Sequence, residues 1–72
     1  MAKASNAVYR VTEVIGTSAN SWEDAARNAV KTAAKSLRDL RIAEITKLDV
    51  KVDNGNVTQF RARIALSFKY DA

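Results

Sequence analysis

The stretch Gly16-Thr17-Ser18-Ala19-Asn20-Ser21-Trp22-Glu23-Asp24 gathers a glycine, three hydroxyls and two carboxylates. It can be read as a loop whose amides cradle a ligand, or as a strand handing over to a helix. A phosphate loop needs several glycines and a lysine at fixed spacing, and Gly16 stands alone. Elsewhere the chemistry is sparse. The chain has no cysteine and no histidine, so thiolate and imidazole ligands and a neutral-pH imidazole base are all missing. Asp49-Val50-Lys51-Val52-Asp53-Asn54 is not an EF-hand, because a lysine and a valine stand where oxygens belong. Catalysis would have to rest on Lys, Tyr or carboxylates without a recognisable constellation, so the protein is read as no enzyme.

A chain of 72 residues is a single domain, 1–72, that leaves much of its surface exposed and draws marginal stability from its own core. With disulfides excluded, self-association is the remaining staple. The net charge of +4 comes from 12 Lys+Arg against 8 Asp+Glu. The basic residues are interspersed with acids and form no run interleaved with aromatics, which speaks against a nucleic-acid module. No apolar run is long enough for a membrane span, and Met1 to Asn6 lacks the apolar core of a secretory signal. The expectation is a cytoplasmic protein with residues 1–6 disordered.

The positioning elements follow from periodicity. Residues 8–15 are rich in β-branched and aromatic types and read as a first strand ending at Gly16. Ser21 can cap the amides of Glu23 and Asp24, whose charges suit the positive end of a helix dipole. Trp22, Ala25, Ala26, Ala29, Val30, Ala33, Leu37 and Leu40 recur at helical spacing, predicting a helix from about Trp22 to about Asp39. Its stripe is mostly alanine, which lets it approach a sheet closely. Arg41 to Val52 alternates but changes phase, so a bulge is expected near Thr46-Lys47. Asn56 to Tyr70 alternates cleanly. Between these strands, a two-residue turn on Asn54-Gly55 would put the two apolar sets on opposite faces. A three-residue loop, Asp53-Asn54-Gly55, is therefore expected, setting Val50 opposite Thr58 and Leu48 opposite Phe60. The result is an α+β fold of order β-α-β-β. Its three-stranded antiparallel-type sheet, in the order 1-3-2, wraps on one helix. Arg61, Arg63, Glu44 and Asp49 fall on the face away from the helix, the natural place for subunit contacts or ligands.

The segments "VYRVTEVIGTSANSWEDAARNAV", "LRIAEI" and "FRARIALSFKYD" resemble the dodecins from Val8 to Asp71. Thr17-Ser18, Ser21-Trp22-Glu23 and Ser67-Phe68-Lys69 are most similar to the branch called calcium dodecin. The resemblance implies a hollow homododecamer, and many dodecins bind flavins as stacked pairs at two-fold axes. It also implies that Gly16-Thr17-Ser18 is the turn from the first strand into the helix. Trp22 is then an anchor covering the sheet or a neighbouring subunit.

Residue by residue, the resemblance places the ligand pocket at Ile42, Glu44, Arg61 and Arg63. The flavin-stacking tryptophan of the family is replaced by Ile42, and the glutamine that hydrogen-bonds the flavin by Arg61. Tight flavin binding is not expected. Calcium wants six to eight hard oxygens, for which Glu44, Asp49, Thr17 and Ser18 are weak candidates. The competing reading of Glu44 is an exposed pair opposite Arg63, contributing under about 1 kcal/mol. The functional expectation is a non-enzymatic oligomer that binds or stores an ion or small ligand, calcium or a small anion. The alternatives are a flavin-sequestering dodecin and a structural or interaction module without a ligand.

Overall fold

A computed structural model describes residues 7–69. The segment expected to be disordered, 1–6, and the expected end of the last strand at Tyr70 lie outside the described residues. The order is β1 (Tyr9–Ser18), α1 (Trp22–Ala33), β2 (Leu40–Asp53) and β3 (Asn56–Lys69). β3 lies in the middle, antiparallel to both neighbours. The helix packs on β1 and β3 and barely reaches β2.

Local sequence explains the helix start. Ser21 is extended, and its hydroxyl accepts the Asp24 amide at 3.0 Å. Glu23 and Asp24 stand in the first turn, where the free amides favour negative charge. The end comes six residues earlier than the expected Asp39. Lys35 and Ser36 donate their amides to the carbonyls of Thr32 and Ala33, tightening the chain into a turn. Asp39 then takes φ 56°, which no helix continues, and delivers the chain to β2. Leu37 still packs on the core, which is why helical spacing alone ran through the turn.

The first strand runs longer than expected. Gly16, Thr17 and Ser18 pair with Ala62, Arg61 and Phe60, so they form the end of β1 and not the turn itself. The glycine answers a packing demand. A Cβ at Gly16 would lie 2.1 Å from the Ala25 carbonyl oxygen and 2.7 Å from the Ala29 Cβ. The alanine stripe lets the helix press against bare backbone at this point, and Ala25, Ala29, Ala62, Ile64 and Leu66 close the buried core.

The β2–β3 hairpin corrects the expected loop. Asp53 pairs with Asn56 across a two-residue turn, with Asn54 at φ 50° and Gly55 at φ 77°. Positive φ at both centres marks a type I′ turn. The phase conflict is resolved inside the strands. One register shift leaves Thr58 unpaired between Val57 and Gln59, and another leaves Thr46 unpaired between Ile45 and Lys47. The second is the expected bulge. Val50 therefore faces Phe60 instead of Thr58, and Leu48 faces Ala62 instead of Phe60. Both apolar sets still point to the helix side, as expected.

Candidate functional site

Alternation along β3 fixes what the helix-free face presents. Arg61, Arg63, Ala65, Ser67 and Lys69 stand there, because Ala62, Ile64 and Leu66 are buried beneath the helix. Cross-strand pairing adds Thr17 and Asp49 beside Arg61, Ile15 and Lys47 beside Arg63, Glu13 and Glu44 beside Ala65, and Val11 and Ile42 beside Ser67. All four pocket positions, Ile42, Glu44, Arg61 and Arg63, thus share one face, together with Asp49 and Thr17. Glu44 stands opposite Ala65, not Arg63. The two-residue turn sets this register, with the bulges at Thr58 and Thr46 offsetting each other.

The strongest polar contact on this face joins Arg61 to Asp49. Nε donates to one carboxylate oxygen at 2.8 Å and an Nη to the other at 3.1 Å. This two-point contact holds the Asp49 carboxyl below its usual value of 3.8, first through the hydrogen bonds and then through the Arg61, Arg63 and Lys47 charges, against a desolvation cost. Asp49 raises Arg61 in return. Asp49 is tied at its backbone as well, because the Trp22 indole donates to its carbonyl at 3.0 Å. The same indole meets Phe60 edge to face, with ring centroids 5.1 Å apart. Trp22 is thus an anchor from the helix mouth to β2, as its position implied. Sequence periodicity gave no sign of the Asp49 carbonyl as its partner.

The calcium candidates do not converge within one chain. Thr17 and Ser18 are neighbours on a strand and face opposite ways. Ser18 is buried, donates its hydroxyl to the Asp24 carboxylate at 2.9 Å, and accepts the amides of Asn20 and Ser21. Its hydroxyl is fully engaged in shaping the strand-to-helix link. Glu44 and Asp49 lie beside Ala65 and Arg61, four residues apart on β3, which is roughly 13 Å at strand rise. Among the described residues no group of three or more carboxylates is placed to hold a metal. Ile42 and Arg61 are further apart still. They stand at Ser67 and Arg61 on the central strand, about 20 Å along it. A pocket that uses both must be made by more than one chain.

Two residues on this face escaped the sequence reading. Glu13 lies in the same row as Glu44, across Ala65, and Lys47 lies directly opposite Arg63. Their place in the alternation was the available signal. Without the bulge at Thr46 fixed, Lys47 could not be assigned a face.

A family model described as Dodecin matches residues 8–71. The calcium dodecin of Mycobacterium tuberculosis is 42% identical over 62 residues, covering 86% of this chain and 87% of that protein. Among solved structures, dodecin from Streptomyces coelicolor aligns with a TM-score of 0.87 and 38% identity, over 94% of this chain and 97% of that one. The calcium-chelating calcium dodecin of M. tuberculosis, described with a novel calcium-binding site, aligns with a TM-score of 0.78 and 42% identity, over 89% and 91%. A β-α-β-β chain with sheet order 1-3-2, matched over nearly its whole length by sequence and by fold, belongs to the dodecin family.

Proposed function

We propose that the protein is a non-enzymatic, self-assembling dodecin that binds or stores calcium in sites shared between subunits on the helix-free face of its sheet. The observation that carries this reading is the dispersal of the candidate residues: Glu44 and Asp49 share a face but stand too far apart to hold one ion in one chain. The six to eight oxygens that calcium takes are then drawn from carboxylates of neighbouring chains, main-chain carbonyls and water. Similarity to a calcium dodecin supports the choice of ion. The assembly is read as twelve subunits in a closed shell, and the compartment as cytoplasmic.

A small anion is the second reading. Lys47 and Arg63 stand directly opposite each other, and like charges so placed repel. Arg61 is the weaker anion ligand, because Asp49 already takes its guanidinium at two points. Flavin is expected to bind weakly. Ile42 offers an exposed aliphatic side chain where a stacking ring would be needed.

Calorimetric titration of metal-free protein with calcium chloride, sodium phosphate and flavin mononucleotide tests the reading. Saturable heat with calcium, reduced by Glu44→Gln, supports it. Saturation with phosphate alone moves the assignment to the Lys47–Arg63 pair, and sub-micromolar flavin binding contradicts both.

A further inference from the structure

Charge on the helix-free face falls in rows. Along β3, Arg61 stands with Asp49, Arg63 with Lys47 in the next row, and Glu13 and Glu44 flank Ala65 in the row after that. Successive rows lie roughly 7 Å apart at strand rise. Only the Arg61 row is neutralised within itself, by the two-point contact with Asp49. Among the described residues, no carboxylate pairs with Arg63 or Lys47, and no cation pairs with Glu13 or Glu44. On β2, Asp49 stands between Lys47 and Lys51 on the same face.

A divalent cation meets opposite surroundings in these rows. At Glu44 the nearest charge in its own row is a second carboxylate. At Asp49 both oxygens already accept from Arg61, and the charges of Arg61, Arg63 and Lys47 all bear on the carboxyl. Calcium arriving there must displace the guanidinium, which remains tethered beside it. The ion would then stand among Arg61, Arg63, Lys47 and Lys51 with one carboxylate to offset them, and like charges this close repel. An oxyanion removes the conflict. It gives calcium further hard oxygens, which the ion takes in number. It also accepts from the freed guanidinium at two points, the geometry that arginine offers to phosphate as to carboxylate. Arg63 and Lys47, one row along, supply the remaining positive partners.

We infer that the Asp49–Arg61 pair is an exchange site for two ligands together: calcium takes the Asp49 carboxylate, and a free tetrahedral oxyanion of the phosphate type takes Arg61, Arg63 and Lys47. Without ligands the two side chains are each other's counter-ion, so each ligand alone must break the contact and gains only one of its ends. With both present, each end of the broken contact is satisfied. The inference rests on the calcium reading proposed above and adds the co-ligand that Asp49 requires. Coupling between two ligands is reciprocal, so calcium strengthens oxyanion binding by the factor that the oxyanion strengthens calcium binding. Trp22 reports on the site, since it is the one tryptophan of the chain and its indole donates to the Asp49 carbonyl.

Calcium chloride is titrated into metal-free protein at fixed ionic strength, with and without millimolar methylphosphonate, an oxyanion whose calcium salt stays dissolved. Heat and Trp22 fluorescence are read together. In the parent, methylphosphonate is expected to tighten calcium binding about tenfold, within the usual range of coupling between sites. Its weak capture of free calcium acts in the opposite direction and cannot imitate the gain. Arg61→Gln, checked for native circular dichroism, is expected to abolish the gain. By leaving Asp49 unopposed it also tightens calcium binding alone by about threefold, the scale of an exposed ion pair. Asp49→Asn is expected to lose the gain as well, while tightening methylphosphonate binding measured without calcium. A parent that binds calcium equally tightly in both buffers overturns the inference and leaves the calcium reading standing. So does an Arg61→Gln chain that keeps the full gain. Absence of saturable calcium binding in either buffer removes both.

Discussion

Two halves of one sheet face the same way and live in different surroundings. Along β1 and the inner part of β3, the helix sits so close that Gly16 has no room for a Cβ, and Ala25, Ala62, Ile64 and Leu66 are fully buried. Along β2, the same face carries Ile45 and Leu48 in solvent, although each is paired with a buried residue one strand away. Strand pairing supplies β2 with backbone hydrogen bonds but gives its side chains no cover. The comparison teaches that this chain completes only half of its apolar face by itself, which for a core of three alanines, an isoleucine and a leucine leaves little margin.

Truncation should separate the halves most sharply. Ile64→Ala removes a fully buried side chain and is expected to cost about 4 kcal/mol in urea unfolding at fixed chain concentration. Leu48→Ala in the dissociated chain should cost under about 1 kcal/mol, since half of that side chain is already in water. Equal losses would mean that Leu48 is covered within the single chain.

Next in size is the contrast between the two glycines. Gly16→Ala drives a methyl into the Ala25 carbonyl and is expected to cost about 3 kcal/mol. Gly55→Ala meets no atom within 4 Å and bears only the strain of a side chain at φ 77°, about 1 kcal/mol. A smaller effect at Gly16 than at Gly55 would show that the helix can lift from β1 at little cost.

Smaller again is the helix cap. Ser21→Ala should lower stability by about 1 kcal/mol, measurable as a shift in urea midpoint, because the Asp24 amide loses its acceptor. The least effect belongs to the exposed pair. Asp49 titrates below 3.8 in the folded chain, so its contribution is present above that value and fades as pH falls through the lowered one. Asp49→Asn should therefore lower stability slightly at pH 7, where the contribution is fully present, and flatten the acid limb below about pH 4 so that variant and parent converge. An unchanged acid limb would show that the contact with Arg61 carries no net stabilisation.

Much of this division was legible in the sequence, and the rest failed for local reasons. Alternation placed Glu44, Asp49, Arg61 and Arg63 on one face because period two in a half-buried strand leaves little choice. The alanine stripe foretold a close helix. The change of phase near Thr46 located a bulge, but the bulge at Thr58 went unread, although Val57 and Phe60, three residues apart and both on the helix side, carry the same change of phase. Missing it led to the three-residue loop Asp53-Asn54-Gly55 in place of the two-residue turn on Asn54-Gly55, and set Glu44 opposite Arg63. The helix end was misplaced because Leu37 keeps helical spacing while the backbone has already turned. Spacing reports which side chains reach the core, and not how the backbone carries them there. The candidate pocket was legible as a set of residues on one face. That its members lie up to about 20 Å apart could be seen only once the register was fixed.

Sedimentation equilibrium of the unmodified chain at micromolar concentration tests most directly whether the protein completes its apolar face with copies of itself. The account predicts a single closed species whose mass is a multiple of 7.9 kDa, twelve-fold on the dodecin reading. A folded species at 7.9 kDa that persists as concentration rises would contradict it.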